Sequence, residues 1–434
     1  MPLDRRGFLA LSGAFLATPA LGADRADLCR TALLDWYRLV LELVRHTATY
    51  SPPVAARAFA YVGTIAHESH VGLIPGPVTL AGQLNGLTAL PAPAPGLDPA
   101  AVLDAALGKA MADYFGNTGP SGQGAMQAMV RRLAERIDAD LPPDLAAASR
   151  AHGVAIAEHV WNWSLSDGGA VVENLGFPYD YTFGENPKDW VPTSDIRIQQ
   201  APLLPNWGAN RPFAMPSTAA CTIPAHPDFS TEPGSAFHAA AMEVYEVSKS
   251  LTAEQIEIAR FWSDDPMLSP TPPGHWVSIV LQIAERDGMP AERTAAALAV
   301  LGVAIADGFI GCWAEKYRWN LVRPVTYIKR YIDPNWETLL ITPPFPEYPS
   351  GHSVQSGAAE VALTAFFGED FAFEDATHAD DGLAVRRFAS FHEAAEEAAI
   401  SRLYGGIHYR FGNEQGLVQG RCIGAHAARL KTFA

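Results

Sequence analysis

The chain is poor in charge, and poorest in positive charge. Of its 434 residues 18% are charged, with 31 lysines and arginines against 47 acids, a formal −16 at pH 7. That balance argues against general nucleic-acid binding and against docking on anionic lipid. Its four cysteines, Cys29, Cys221, Cys312 and Cys422, include no CxxC pair. Zinc-type spacing and a dense disulfide framework are thereby excluded, and any pairing stays open. Convincing strand alternation and internal repeats are lacking, as are a GxSxG elbow and a Walker loop. What is present is apolar: 48% hydrophobic residues, enough for a large core in a soluble globular protein.

Arg5-Arg6-Gly7-Phe8-Leu9 leads into an apolar run to Ala17, then small residues around Ala20 to Ala23. Adjacent arginines before a short apolar stretch predict a twin-arginine signal over residues 1–23, with the remainder soluble and periplasmic or secreted. No other stretch reads as long and apolar enough to span a bilayer. Three-four spacing of apolar residues predicts helices over 28–44, 53–71, 99–115, 124–141 and 143–163. Helices return over 236–249, 252–262, 274–286, 291–318, 353–367, 385–403 and 415–430. The fold expected is all-α, with helices packed as bundles. Residues 24–165 form an N-terminal helical half and 236–434 a C-terminal bundle. Between them, 166–235 is rich in proline and aromatics, and Trp190, Trp207 and Phe213 suggest that it packs rather than floats.

Three short motifs carry the chemistry. Lys316 and Arg323 are seven residues apart, about two turns on one helix face, with Pro324 expected to stop that helix. Tyr348-Pro349-Ser350-Gly351-His352 reads as a loop entering a helix, where free N–H groups and the dipole favour an anion. Ser401-Arg402 closes a helix that Gly405 and Gly406 end, ahead of His408. Each motif alone has a bland reading: a solvated basic face, a capped helix start, a structural histidine. Together they supply three cations, two imidazoles, a hydroxyl and a helix-opening glycine, a set suited to a tetrahedral oxyanion. His67-Glu68-Ser69-His70 misses the zinc-protease spacing by one residue, and His152 with His159 lacks a third ligand.

Lys-six residues-Arg-Pro, Pro-Ser-Gly-His and Ser-Arg-three residues-Gly-any-His resemble the signature of the vanadium haloperoxidase and type-2 phosphatidate phosphatase superfamily. The resemblance covers roughly residues 235–430. It implies that Lys316, Arg323, Ser350, the Gly351 amide and Arg402 bind oxyanion oxygens. His408 is then the axial group, a vanadium ligand or a phosphatase nucleophile, and His352 the acid/base. Vanadate is the implied cofactor, with phosphate able to occupy the same site. Trp313 and Phe345 stand where haloperoxidases carry an aromatic wall beside the halide approach, and a phenylalanine at 345 departs from algal bromoperoxidases. The look is nearest to bacterial iodoperoxidase-like enzymes. Phe261 to Pro266 and Thr271 to Trp276 resemble the segment supplying an acid partner for the catalytic histidine, a role that falls on Asp265.

The expectation is a vanadium-dependent haloperoxidase oxidising iodide or bromide more readily than chloride. Its partners would be hydrogen peroxide, halide and an organic acceptor, with neither nucleic acid nor stable membrane insertion after signal removal. The rivals are an exported acid phosphatase with His408 as nucleophile and His352 as general acid, and a non-catalytic oxyanion binder.

Overall fold

In the computed structural model, residues 24–170, 181–193, 201–265 and 267–434 are described. The leader expected over residues 1–23 lies outside them. The first helices are α1 (Arg25–Arg45), α2 (Pro52–Glu68), α3 (Pro99–Tyr114), α4 (Pro120–Asp138) and α5 (Pro143–Ser164). There follow α6 (Ala236–Lys249), α7 (Ala253–Phe261), α8 (Thr271–Arg286), α9 (Ala291–Trp319) and α10 (Pro324–Tyr331). α11 (Gly351–Phe367), a two-stranded antiparallel hairpin β1 (Phe373–Asp375) and β2 (Arg386–Phe388), α12 (Phe391–Tyr404) and α13 (Arg410–Ala427) complete the chain. The all-α expectation holds.

α9 is the axis. Its apolar run is long enough to cross a membrane, which corrects the expectation that no such stretch follows the leader, yet the run is wholly buried inside the protein. α2 packs on it closely because Gly302 faces the Phe59 and Ala60 backbone, where a Cβ would come within 2.8 Å of the Phe59 carbonyl. One core cluster runs from Leu28 to Ala427 and draws on both helical halves. The 166–235 connection is tied to the same axis. Buried Asp307 of α9 accepts the backbone N–H groups of Phe213, Ala214 and Met215. Trp190, Trp207 and Phe213 are all buried. A disulfide joins Cys221 of this connection to Cys422 of α13.

Two element expectations are overturned. Lys316 and Arg323 do not share a helix: α9 ends at Trp319 on a left-handed Asn320 (φ 49°), and Arg323 is the extended N-cap of α10. Asn tolerates that C-terminal conformation, and Pro324 opens the next helix rather than closing the last, its missing N–H being no loss at N1. The helix expected from Val385 begins only at Phe391, capped by Ser390, and Arg386–Phe388 pairs as a strand with β1.

Candidate active site

The turns at the C-terminal end of α9, the N-terminus of α11 and the loop after α12 bring the three motifs together. Lys316, Arg323, Ser350, Gly351, Arg402 and His408 are all buried. Arg323 Nε donates to the Phe345 carbonyl (3.0 Å) and Nη1 to the Ile407 carbonyl (2.8 Å). The same Nη1 lies 2.9 Å from His408 Nε2, whereas Nη2 is buried with no partner. Arg402 donates from Nε to Ser401 Oγ (3.0 Å) and from Nη2 to the Trp262 carbonyl. Lys316 Nζ donates to the carbonyls of Pro346, Glu347 and Pro349, so its three N–H groups are occupied. To donate to an anion it must release one of them.

Ser350 caps α11 by accepting from the Ser353 N–H (3.4 Å). The Gly351 and His352 amides fall in the first turn, ahead of the helix's own ladder, where N–H groups are free for an anion. A Cβ on Gly351 would touch the Trp313 ring at 3.7 Å and Lys316 Cε at 4.0 Å, so glycine keeps this corner open. Trp313 and Phe345 pack with ring centroids 5.0 Å apart. The Lys316 ammonium and the Arg323 guanidinium each lie 5.0 Å from the Phe345 centroid. The aromatic pair therefore walls the cationic corner and screens it from water.

Burial dominates the electrostatics. It lowers the Lys316 pKa to about 7 and those of Arg323 and Arg402 to about 10. Burial, followed by the Arg323, Lys316 and Arg402 charges, holds His408 well below the usual imidazole range. His408 is thus neutral, and its tautomer is assignable. Nδ1 is 2.8 Å from Glu347 Oε1, to which it donates, leaving the Nε2 lone pair toward Arg323 and the pocket. Glu347 also accepts from the Tyr409 N–H, and its Oε2 is buried without a partner. Gly412 makes room for this carboxylate, since a Cβ there would lie 2.3 Å from Glu347 Oε1. Glu347 went unread in the sequence because an acid in a proline-rich loop looks solvated. Its place immediately before Tyr348-Pro349-Ser350 was the available signal.

His352 is half-buried, with Nε2 enclosed and unpartnered. Burial, then the Arg402 charge, holds its pKa well below the usual value. Asp265 lies in the field of Arg402, and burial raises its pKa. Among the described residues no hydrogen bond joins Asp265 to His352, and the carboxylate whose charge bears on His352 is the neighbouring Asp264. His67 and His70 stay apart from this chemistry, their rings bonded to the Val78 and Ala66 carbonyls. His159 bonds to Thr88.

A family model described as the VCPO second helical-bundle domain matches residues 296–433, the stretch that carries all three motifs. The vanadium chloroperoxidase of Curvularia inaequalis is 27% identical over 212 residues, 35% of this chain and 35% of that protein. The vanadium-dependent bromoperoxidase of Ascophyllum nodosum is 32% identical over 137 residues, 26% of this chain and 25% of that protein. The chain thus spans about a third or less of the length of these curated relatives. A solved bacterial vanadium-dependent iodoperoxidase aligns with a TM-score of 0.83 and 38% identity, covering 92% of this chain and 95% of that one. With that agreement along nearly the whole of both chains, and with the three motifs gathered in one buried pocket, the chain belongs to the vanadium haloperoxidase family.

Proposed function

We propose that the protein is an exported vanadium-dependent haloperoxidase that oxidises iodide or bromide with hydrogen peroxide. The net reaction is X⁻ + H₂O₂ + H⁺ → HOX + H₂O, and an organic acceptor can consume the product. One observation carries this reading. Arg323 Nη2 and His352 Nε2 are buried without partners around His408, whose Nε2 lone pair has Arg323 Nη1 opposite it. Burial, then the Arg323, Lys316, Arg402 and His352 charges, all lower the proton affinity of His408. Buried polar atoms without partners are costly, and a bound group satisfies them.

Vanadate fits that donor set. Arg323, Arg402, Lys316 and the Ser350–Gly351 turn are the residues that would hold its oxygens, and His408 would offer Nε2 to the metal. When bound, vanadate supplies a Lewis-acid centre at which peroxide is activated for two-electron oxidation. The protein's own contributions are charge, orientation and a proton acceptor. The three cations stabilise negative charge in a water-poor corner without reorganising. Glu347 keeps the proton of His408 on Nδ1, so that Nε2 stays available. Neutral His352 can accept a proton at Nε2 from an incoming peroxide and return it to the product. Trp313 and Phe345 form the apolar side along which a weakly hydrated halide would approach. Iodide is favoured by the likeness to the iodoperoxidase. Export to the periplasm or beyond is favoured by the leader motif and by the Cys221–Cys422 disulfide, which suits an oxidising compartment.

The test is peroxide-dependent iodide oxidation by metal-free protein, with and without vanadate, beside hydrolysis of a phosphate monoester. Vanadate-dependent oxidation with negligible hydrolysis is expected. Hydrolysis without halide oxidation would favour the phosphatase reading, with His408 as nucleophile.

A further inference from the structure

Beside the pocket, around the carboxylate whose charge bears on His352, lies a second cluster of imidazoles and acids to which the halide chemistry assigns no ligand. His275, in the second turn of α8, has Nδ1 at 2.9 and 3.0 Å from the two carboxylate oxygens of Asp264. Its Nε2 is 2.7 Å from Asp375 Oδ2, at the end of β1. His378, in the turn after β1, has Nε2 3.0 Å from Asp264 Oδ1 and Nδ1 3.2 Å from Asp381 Oδ2. All four ring nitrogens therefore face carboxylates. A neutral imidazole has one N–H to give, so its second nitrogen turns a lone pair toward an anion. Two such rings converge on the same carboxylate, Asp264, and Asp264, His275 and His378 are all buried. Positive charge at the Asp264 corner, carried by a shared cation or by second ring protons, resolves both repulsions.

We propose that Asp264, His275 Nδ1 and His378 Nε2 form a binding site for a divalent transition metal of the zinc type, separate from the oxyanion pocket. Their ligand atoms all lie within 4.8 Å of one another, so one ion can reach all three. Two imidazoles and a carboxylate are a donor set that zinc accepts, with further positions left for water. The far nitrogens supply an independent signature. Each is held by its own carboxylate, Asp375 for His275 and Asp381 for His378, which is how metal-ligating histidines are oriented. Asp375 is fixed in turn by the Thr377 N–H. His275 Nδ1 lies nearly equidistant from both Asp264 oxygens, so that either a shared proton or a shared cation can sit between the ring and the carboxylate.

The placement suggests what the ion would do. Asp264 sits in the left-handed region (φ 49°), which among non-glycine residues Asp and Asn adopt most readily and which turns the chain sharply here. Two residues earlier the Trp262 carbonyl receives Arg402, and the Trp262 ring stacks on His275 at 4.6 Å. An ion at Asp264 would brace the turn on which Arg402 leans.

Metal-depleted protein titrated with Zn²⁺, and with Co²⁺ as a coloured probe, tests this. One equivalent per chain is expected, with Co²⁺ absorption bands of nitrogen and oxygen ligation. Binding should weaken at least about tenfold in His378→Ala and Asp264→Asn, and measurably in Asp375→Asn. His408→Ala should bind as the parent does, which separates this site from the oxyanion pocket. Cys221 and Cys422 are joined as a disulfide and cannot be the ligands. If the folded parent takes up no ion more tightly than about 10 μM, roughly −7 kcal/mol, the proposal falls. It falls equally if His378→Ala and Asp264→Asn bind as well as the parent. The cluster is then a clasp of protonated rings, since the Asp264 and Asp375 charges overcome the lowering effect of burial on His275 and raise its pKa to about 10.

Discussion

At the scale of single residues, the pocket assigns different duties to groups that look alike in the sequence. His408 and His352 each follow a glycine-containing turn, yet one presents a lone pair fixed by Glu347 and the other an unpartnered Nε2. His408→Ala is therefore expected to lose most vanadate affinity and nearly all halide oxidation. His352→Ala should retain vanadate better while losing much of its turnover. Equilibrium vanadate binding beside initial iodide-oxidation rates separates the two, and equal loss of binding in both would refute the division. Glu347→Ala leaves His408 free to move its proton to Nε2, so vanadate affinity should fall by about 10–100-fold, as for other outer-shell partners. Nitrogen NMR of the histidine rings in vanadate-free protein checks the cause: the Nδ1–H form should dominate in the parent and not in the variant. The three motifs were legible because each chemistry-bearing residue stands at a fixed spacing from a glycine or proline. Glu347, Asp264 and His275 were not, because their role depends on partners 61, 11 and 100 residues away.

At the scale of elements, apolar periodicity locates most helices within a few residues, and the two misreadings have separate causes. A proline marks a break without saying on which side the helix lies, so Pro324, which reads as an end, is a beginning. Three-residue strands such as Arg386–Phe388 are too short for alternation to register. The 166–235 connection shows how an irregular segment is anchored without periodicity. Asp307 gathers three backbone N–H groups from Phe213 to Met215. Asp307→Ala strands these buried donors and is expected to cost about 3 kcal/mol or more of stability. Asp307→Asn, which keeps one acceptor oxygen, should cost less. Urea unfolding midpoints of the two variants check the order, and equal midpoints would contradict it.

At the scale of the whole molecule, one core runs through both helical halves around α9, and the disulfide adds a tie across 201 residues of sequence. Cys221→Ser is expected to lower stability by about 2–5 kcal/mol, read from unfolding with and without reductant. Stability should also carry a pH signature from Glu68, where burial raises the carboxyl pKa from 4.5 to about 7. The folded state then holds this proton more tightly than the unfolded chain does. Its contribution is therefore present at low pH and lost as pH rises from about 4.5 through about 7. The stability of Glu68→Gln relative to the parent should increase between pH 5 and pH 8, by an amount on the order of 3 kcal/mol. A difference that does not vary with pH would contradict this. The account rests above all on the oxyanion pocket being a vanadate site that drives oxidation. The most direct measurement follows vanadate bound per chain and iodide oxidised per second in the same titration of metal-free protein, repeated with inorganic phosphate present. The account predicts that activity rises in proportion to bound vanadate, levels off at one per chain, and shifts to higher vanadate when phosphate competes. Activity without vanadate, or stoichiometric vanadate binding that phosphate does not disturb and that brings no activity, would contradict it.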